Sequence, residues 1–118
     1  MSVTGKLKAE VDAIILERLT QVGRETVTDA INTKTYQDRT GALVASYGFG
    51  VVMHGVLVHV ETDSNETADA IEREALKQYG IGLIFSNGKE YAVYVASNGF
   101  DVMHGAVLRA ERVLNENK

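Results

Sequence analysis

Between Ile81 and Ser97 the chain is apolar at most positions on either side of Asn87-Gly88, and this stretch constrains the fold more than any other. Asn-Gly is favoured by two-residue hairpin turns because both central positions need positive φ. With that turn joining Ile81–Phe85 to Glu90–Ser97, Ile84, Tyr91 and Val93 share one face, and Leu83, Phe85 and Tyr94 share the other. Strands apolar on both faces must be covered on both faces, by helices of the same chain or by another subunit.

Candidate covers lie to either side. From Val3 to about Thr33, Leu7, Val11, Ile14, Ile15, Leu19 and Val22 recur at three- and four-residue steps, the period of one helical stripe. Leu16, Val27, Ala30 and Ile31 fall on a different side of a straight helix, with Gly23 between the two patterns. Either the helix bends near Gly23 and wraps over its own sheet, or the second side meets a neighbouring subunit. Asp38 to Gly41 is turn-forming and leads into a first hairpin. If His54-Gly55 is its turn, Met53 faces Val56, Val51 faces Val58 and Phe49 faces Val60. The opposite face, with Gly48, Gly50, Val52, Leu57, His59 and Glu61, is then partly solvated.

Asp63 with Glu66 has the spacing of a capping box, and Ala68, Ile71, Ala75 and Tyr79 continue a short helix towards Gly80. Met103, Ala106, Val107, Ala110, Val113 and Leu114 form the apolar side of a closing helix, which Asp101 or Asn98 could cap. The expected architecture is α+β. A four-stranded, mainly antiparallel sheet of two hairpins is packed by a long N-terminal helix, a short middle helix and a C-terminal helix, in one domain over residues 1–118.

Composition narrows the function classes. With no cysteine there is no disulfide, thiolate nucleophile or cysteine zinc site. With no proline, turns rest on the 11 glycines and on Asn, Asp and Ser. A net charge of -4 argues against general affinity for nucleic acid, which needs a cation-rich surface. No apolar run is long enough to span a bilayer and Met1–Lys8 lacks the apolar core of a secretory signal, so a soluble protein made in a cytoplasm is expected.

Motifs that could carry chemistry are sparse. His54, His59 and His104 are the only histidines, and their spacing pre-forms no zinc site. Gly48-Phe-Gly50 lies inside a strand, whereas a phosphate loop lies between a strand and a helix, so these glycines are expected to relieve crowding or permit a bulge. Ser46–Gly55 and Ser97–Gly105 match apart from one gap, but the first reads as strand and turn and the second leads into a helix, which argues against a duplicated unit. Asp38 with Arg39 is read as a loop ion pair, and neither a nucleophile elbow nor a phosphate-loop motif is present. No catalytic residue, cofactor site or metal site is assigned.

One sequence resemblance supplies a function. Asp38, Thr40, Gly41, Leu43 and Ser46, followed by Tyr91, Ala92, Tyr94 and Val95 and then Leu108-Arg109-Ala110, make the chain resemble the tail-completion (neck) and minor tail component family of long-tailed bacteriophages. In that family a helix leads to Asp-x-Thr-Gly-x-Leu-x-x-Ser, then strands, a Tyr-Ala segment and a C-terminal helix. The chain departs from the pattern at Ala96–Gly99, where the family has Glu-Gly, and in lacking the proline that opens the last helix.

The resemblance implies a virion protein, synthesised in a bacterial host cytoplasm, that forms a ring of its own copies at the tail's head-proximal end or the neck. Its partners would be a tail tube protein and a head–tail connector protein. DNA would pass through the ring without sequence-specific binding, and no membrane is involved. Leu16, Val27, Ile31, Arg39, Leu83, Phe85 and Tyr94 are the residues expected at partner interfaces. The alternative is a small bacterial interaction domain that binds a single protein partner through the same apolar surface.

Overall fold

The computed structural model describes residues 3–37, 46–88 and 92–97, together with Glu111 and Leu114. Helix α1 (Val3–Gln37) is followed by strands β1 (Gly48–Met53) and β2 (Val56–Thr62), helix α2 (Asn65–Ala75), and strands β3 (Ile81–Ser86) and β4 (Ala92–Ser97). The strands form one antiparallel sheet in the order β2-β1-β3-β4, so the two hairpins meet through β1 and β3. This is the α+β architecture expected, with two helices among the described elements. Of the expected closing helix only Glu111 and Leu114 are described; both are helical. No helix among the described residues is long and apolar enough to cross a membrane.

Each sheet face has its own core. On one side Ile15, Leu19 and Ala30 of α1 pack with Phe49, Val51, Met53, Leu83, Phe85 and Val95, and Leu114 joins them. On the other, Ile71 and Ala75 of α2 pack with Val52 and Ile84, flanked by Leu57, Val60 and Tyr94. The central strands are thus covered on both sides by this chain's own helices, as two-sided apolar strands require.

The face of α1 that meets the sheet differs from the stripe expected. Its buried positions are Ile15, Leu19, Gly23, Thr26 and Ala30, spaced by three or four residues, whereas Val11 and Ile14 are exposed. Leu16, Val27 and Ile31 pack against the same core, so the two apparent stripes are the centre and flanks of one contact surface. The helix runs unbroken through Gly23, where a Cβ would collide with the Phe49 ring. Glycine here permits close approach of helix to sheet. Thr26 is accommodated because its hydroxyl donates to the Val22 carbonyl at 2.8 Å.

Both hairpin registers depart from expectation. The first turn is His54-Gly55, with φ of 52° and 81°, the positive values of a tight hairpin. Met53 pairs with Val56 and Val52 with Leu57, but then Val51 pairs with His59 and Phe49 with Glu61. Val58 is the extra residue of a β-bulge, which shifts the following pairs by one. As a result Glu61 reaches Arg24 of α1 while Val60 packs on the α2 side. Val52 keeps its expected partner Leu57 but is buried by α2 rather than partly solvated.

In the second hairpin Ser86 pairs with Ala92, so residues 87–91 form the connection in place of a two-residue turn. That odd shift in register moves Tyr94 opposite Ile84 and places Val93 opposite Phe85, reversing the faces expected for both. The middle helix is also capped one residue later than expected. The Ser64 hydroxyl accepts the Thr67 backbone N–H at 3.3 Å, and the helix ends at Ala75, short of Tyr79.

Candidate docking groove

Because α1 extends past the sheet, its first turns form one wall of a groove. Ala9, Asp12, Ala13 and Leu16 supply that wall, and Met53, His54, Val56 and Val58 at the tip of the first hairpin supply the other. The open space is about 520 Å³. Val56 and Val58 are 60% and 45% exposed, large fractions for valines. The polar groups in the lining pair with one another: His54 Nε2 donates to the Asp12 carboxylate at 3.1 and 3.2 Å.

This lining suits apolar side chains. An Asp–His pair can orient a base, but none of the lining residues carries a hydroxyl or thiol for it to activate. The other two histidines lie elsewhere or outside the described residues. The His59 ring lies 6.1 Å from that of Phe49, with Nε2 3.7 Å from Glu61, and His104 is not described. Among the described residues no group of three His, Asp or Glu is placed to hold a metal ion.

Of the residues expected at an interface, Leu16 alone lines the groove. Val27 and Ile31 are partly buried against the main core, and Leu83 and Phe85 are enclosed at 0% and 1% exposure, so neither of the latter pair is open to a partner. Tyr94 faces α2, where its hydroxyl donates to the Ile81 carbonyl at 3.1 Å and burial raises its pKa above the ordinary value. Arg39 lies outside the described residues.

A second exposed apolar feature stands on the α2 side of the hairpin tip. Leu76 and Tyr79, just beyond the end of α2, are 85% and 89% exposed. The Gly55 N–H donates to the Gly80 carbonyl at 3.1 Å, fastening this segment behind the turn. Sequence reasoning placed Tyr79 on the buried side of the helix. The usable signal was Leu76, an apolar residue adjacent to Ala75 and off the helical stripe.

Two motif segments of the resemblance reach the described structure. Ser46 belongs to a polar knot in which its hydroxyl donates to the Asn87 carbonyl and its own carbonyl accepts from Thr67 Oγ1. Asn87 Nδ2 in turn donates to the Leu114 carbonyl at 3.2 Å, so one cluster ties the start of β1 to α2, the second hairpin and the C-terminal segment. Ala92, Tyr94 and Val95 lie in β4, while Asp38, Thr40, Gly41, Leu43 and Tyr91 are outside the described residues. No family model, curated protein or solved structure matches the chain.

Proposed function

We propose that this chain is a structural component of a bacteriophage or prophage particle, acting in tail completion or head–tail joining as an oligomeric ring. The observation that carries a docking role is the groove of about 520 Å³ with exposed Val56 and Val58 in its lining and a self-satisfied Asp12–His54 pair. Such a surface gains from burial against another protein and offers no converging polar groups for a small polar substrate. The phage assignment rests on the motif resemblance alone; of its residues Ser46 has a structural task, joining the start of β1 to Asn87 and to Thr67 of α2. In this role one side of the ring meets the tail tube protein and the other the head–tail connector, and a net charge of -4 is compatible with DNA sliding through.

The test is electron microscopy of particles released from cells in which the gene has been disrupted. Filled heads and unjoined or unfinished tails are the expected result, with joined particles restored by the gene in trans. Normal joined virions from the disrupted strain would overturn the assignment. A second reading, a bacterial interaction domain with a single protein partner, draws on the same groove. It predicts a one-to-one complex in which this chain contacts no second copy of itself.

A further inference from the structure

We infer that Asn87 is a guarded deamidation site, kept as an amide while its junction with Ser46 and Leu114 is closed and converted to aspartate or isoaspartate when that junction opens. Asn-Gly is the dipeptide in which this reaction is fastest, because glycine puts no side chain in the way of the attacking nitrogen. The Gly88 backbone nitrogen gives up its proton and bonds to the Asn87 side-chain carbonyl carbon, and the Cγ–Nδ2 bond breaks to release ammonia. Water then opens the succinimide at either carbonyl, leaving a side-chain carboxylate or, in isoaspartate, an extra methylene in the main chain.

The closed junction gives each of the groups that must meet a different partner. Asn87 Nδ2 donates to the Leu114 carbonyl at 3.2 Å, and the Gly88 N–H donates to Ser86 Oγ at 3.3 Å. The Ser46 hydroxyl donates to the Asn87 carbonyl, which holds the peptide plane between the two residues. Asn87 is also buried, at 8% exposure. Yet the site demands this pair. Gly88 has a φ of 88°, and a Cβ there would lie 2.8 Å from Cβ of Ser46 and 3.1 Å from Oγ1 of Thr67, while position 87 must supply a donor to Leu114.

Reaction would undo the junction in one direction only. A carboxylate has no hydrogen to donate, so it would face the Leu114 carbonyl as an unpaired buried charge. Leu114, 2% exposed when the junction is closed, would then leave the core and take the C-terminal segment with it.

Timed incubation of the full chain at mildly alkaline pH, followed by tryptic mapping, tests the site. Asn87 falls in the peptide Gln78–Lys89 and the chain's other Asn-Gly, Asn98-Gly99, in Glu90–Arg109, so the mass change from amide to acid is assigned to one or the other. A reaction through an open state runs at the unfolded rate times the population of that state. Wild type in native buffer is expected to deamidate at Asn87 at least about tenfold more slowly than wild type in urea. Ser46→Ala and Leu114→Ala, checked for folding by circular dichroism, are expected to react at least about fivefold faster than folded wild type. Val52→Ala, in the core at the opposite end of β1, should react like wild type. Asn87→Asp should speed amide exchange in the peptide that carries Leu114.

Equal rates in native buffer and urea would overturn the guard, as would folded junction variants that react as slowly as wild type. If Leu114→Ala does not fold, Ser46→Ala decides. Equal acceleration by Val52→Ala would place the opening in global unfolding and overturn a local guard. Unchanged exchange around Leu114 in Asn87→Asp would overturn the release.

Discussion

A methyl group at position 23 would collide with one side of the Phe49 ring, and that close approach sets how near α1 lies to the sheet. Gly23→Ala gains about 1 kcal/mol in helix propensity but overpacks a core, which costs about 1–3 kcal/mol. The expected net result is a lower urea midpoint; a raised midpoint would mean that the ring can swing aside. Ser46 was visible in the sequence as a motif letter without a physical role. Its hydroxyl satisfies the Asn87 carbonyl of a buried residue, so Ser46→Ala is expected to lower stability by about 1–2 kcal/mol in denaturant unfolding.

Glu61 gives a pH prediction. The hydrogen bond from Arg24 is the main cause that holds its carboxyl below the ordinary value, with burial opposing. A depressed folded value means the pair's contribution is complete above the ordinary carboxylate range of about 4.3 and is lost as pH falls through the lowered value. Arg24→Gln should therefore make stability fall less steeply between about pH 5 and pH 3. Both side chains are solvent-accessible, so the difference should be small and should shrink further in high salt. An unchanged acid profile in low salt would show that the pair contributes nothing.

Among the elements, existence and type were legible and registers were not. Alternating and two-sided apolar runs mark strands wherever they occur, and His54-Gly55 was identified correctly as a turn. Asn87-Gly88 was misread because local propensity lost to tertiary bonding. The Asn87 carbonyl is taken by Ser46 and its amide by the Leu114 carbonyl, so the pair serves a junction and the connection lengthens. Val58 carries no letter that announces a bulge, yet its insertion reassigns every later residue of β2.

A deletion tests that account. Removing Val58 leaves Val52–Leu57 and Val51–His59 as successive pairs, so the fold should survive with a loss under about 2 kcal/mol. Without the bulge the β2 edge should be flatter and self-associate more readily on storage. Loss of cooperative unfolding would show that the extra residue is needed for the twist of the sheet. The two stripes of α1 were misread for a different reason: a straight projection treats flank residues as a separate face, although a broad sheet touches a helix over a wide arc.

At the scale of the whole molecule, a 35-residue helix of roughly 50 Å lies across strands of six or seven residues. The long axis of 53 Å is essentially that helix. Its described buried positions run only from Ile15 to Ala30, whereas the groove wall runs from Ala9 to Leu16, so core and groove occupy largely different lengths of the same element. Leu19→Ala should cost about 2–5 kcal/mol, whereas Ile14→Lys should stay within about 0.5 kcal/mol. Thermal unfolding of the two variants checks this; equal losses would mean that the overhang is held as firmly as the centre.

The layered class was readable from two-sided apolar strands, but not which greasy residues stayed outside, because that depends on where the sheet ends beneath the helix. The bond between Gly55 and Gly80 then has a kinetic consequence. A ligand that stills the turn also stills the stretch behind it, so on the proposed docking role occupation of the groove would slow the opening of the Leu76–Gly80 segment as well.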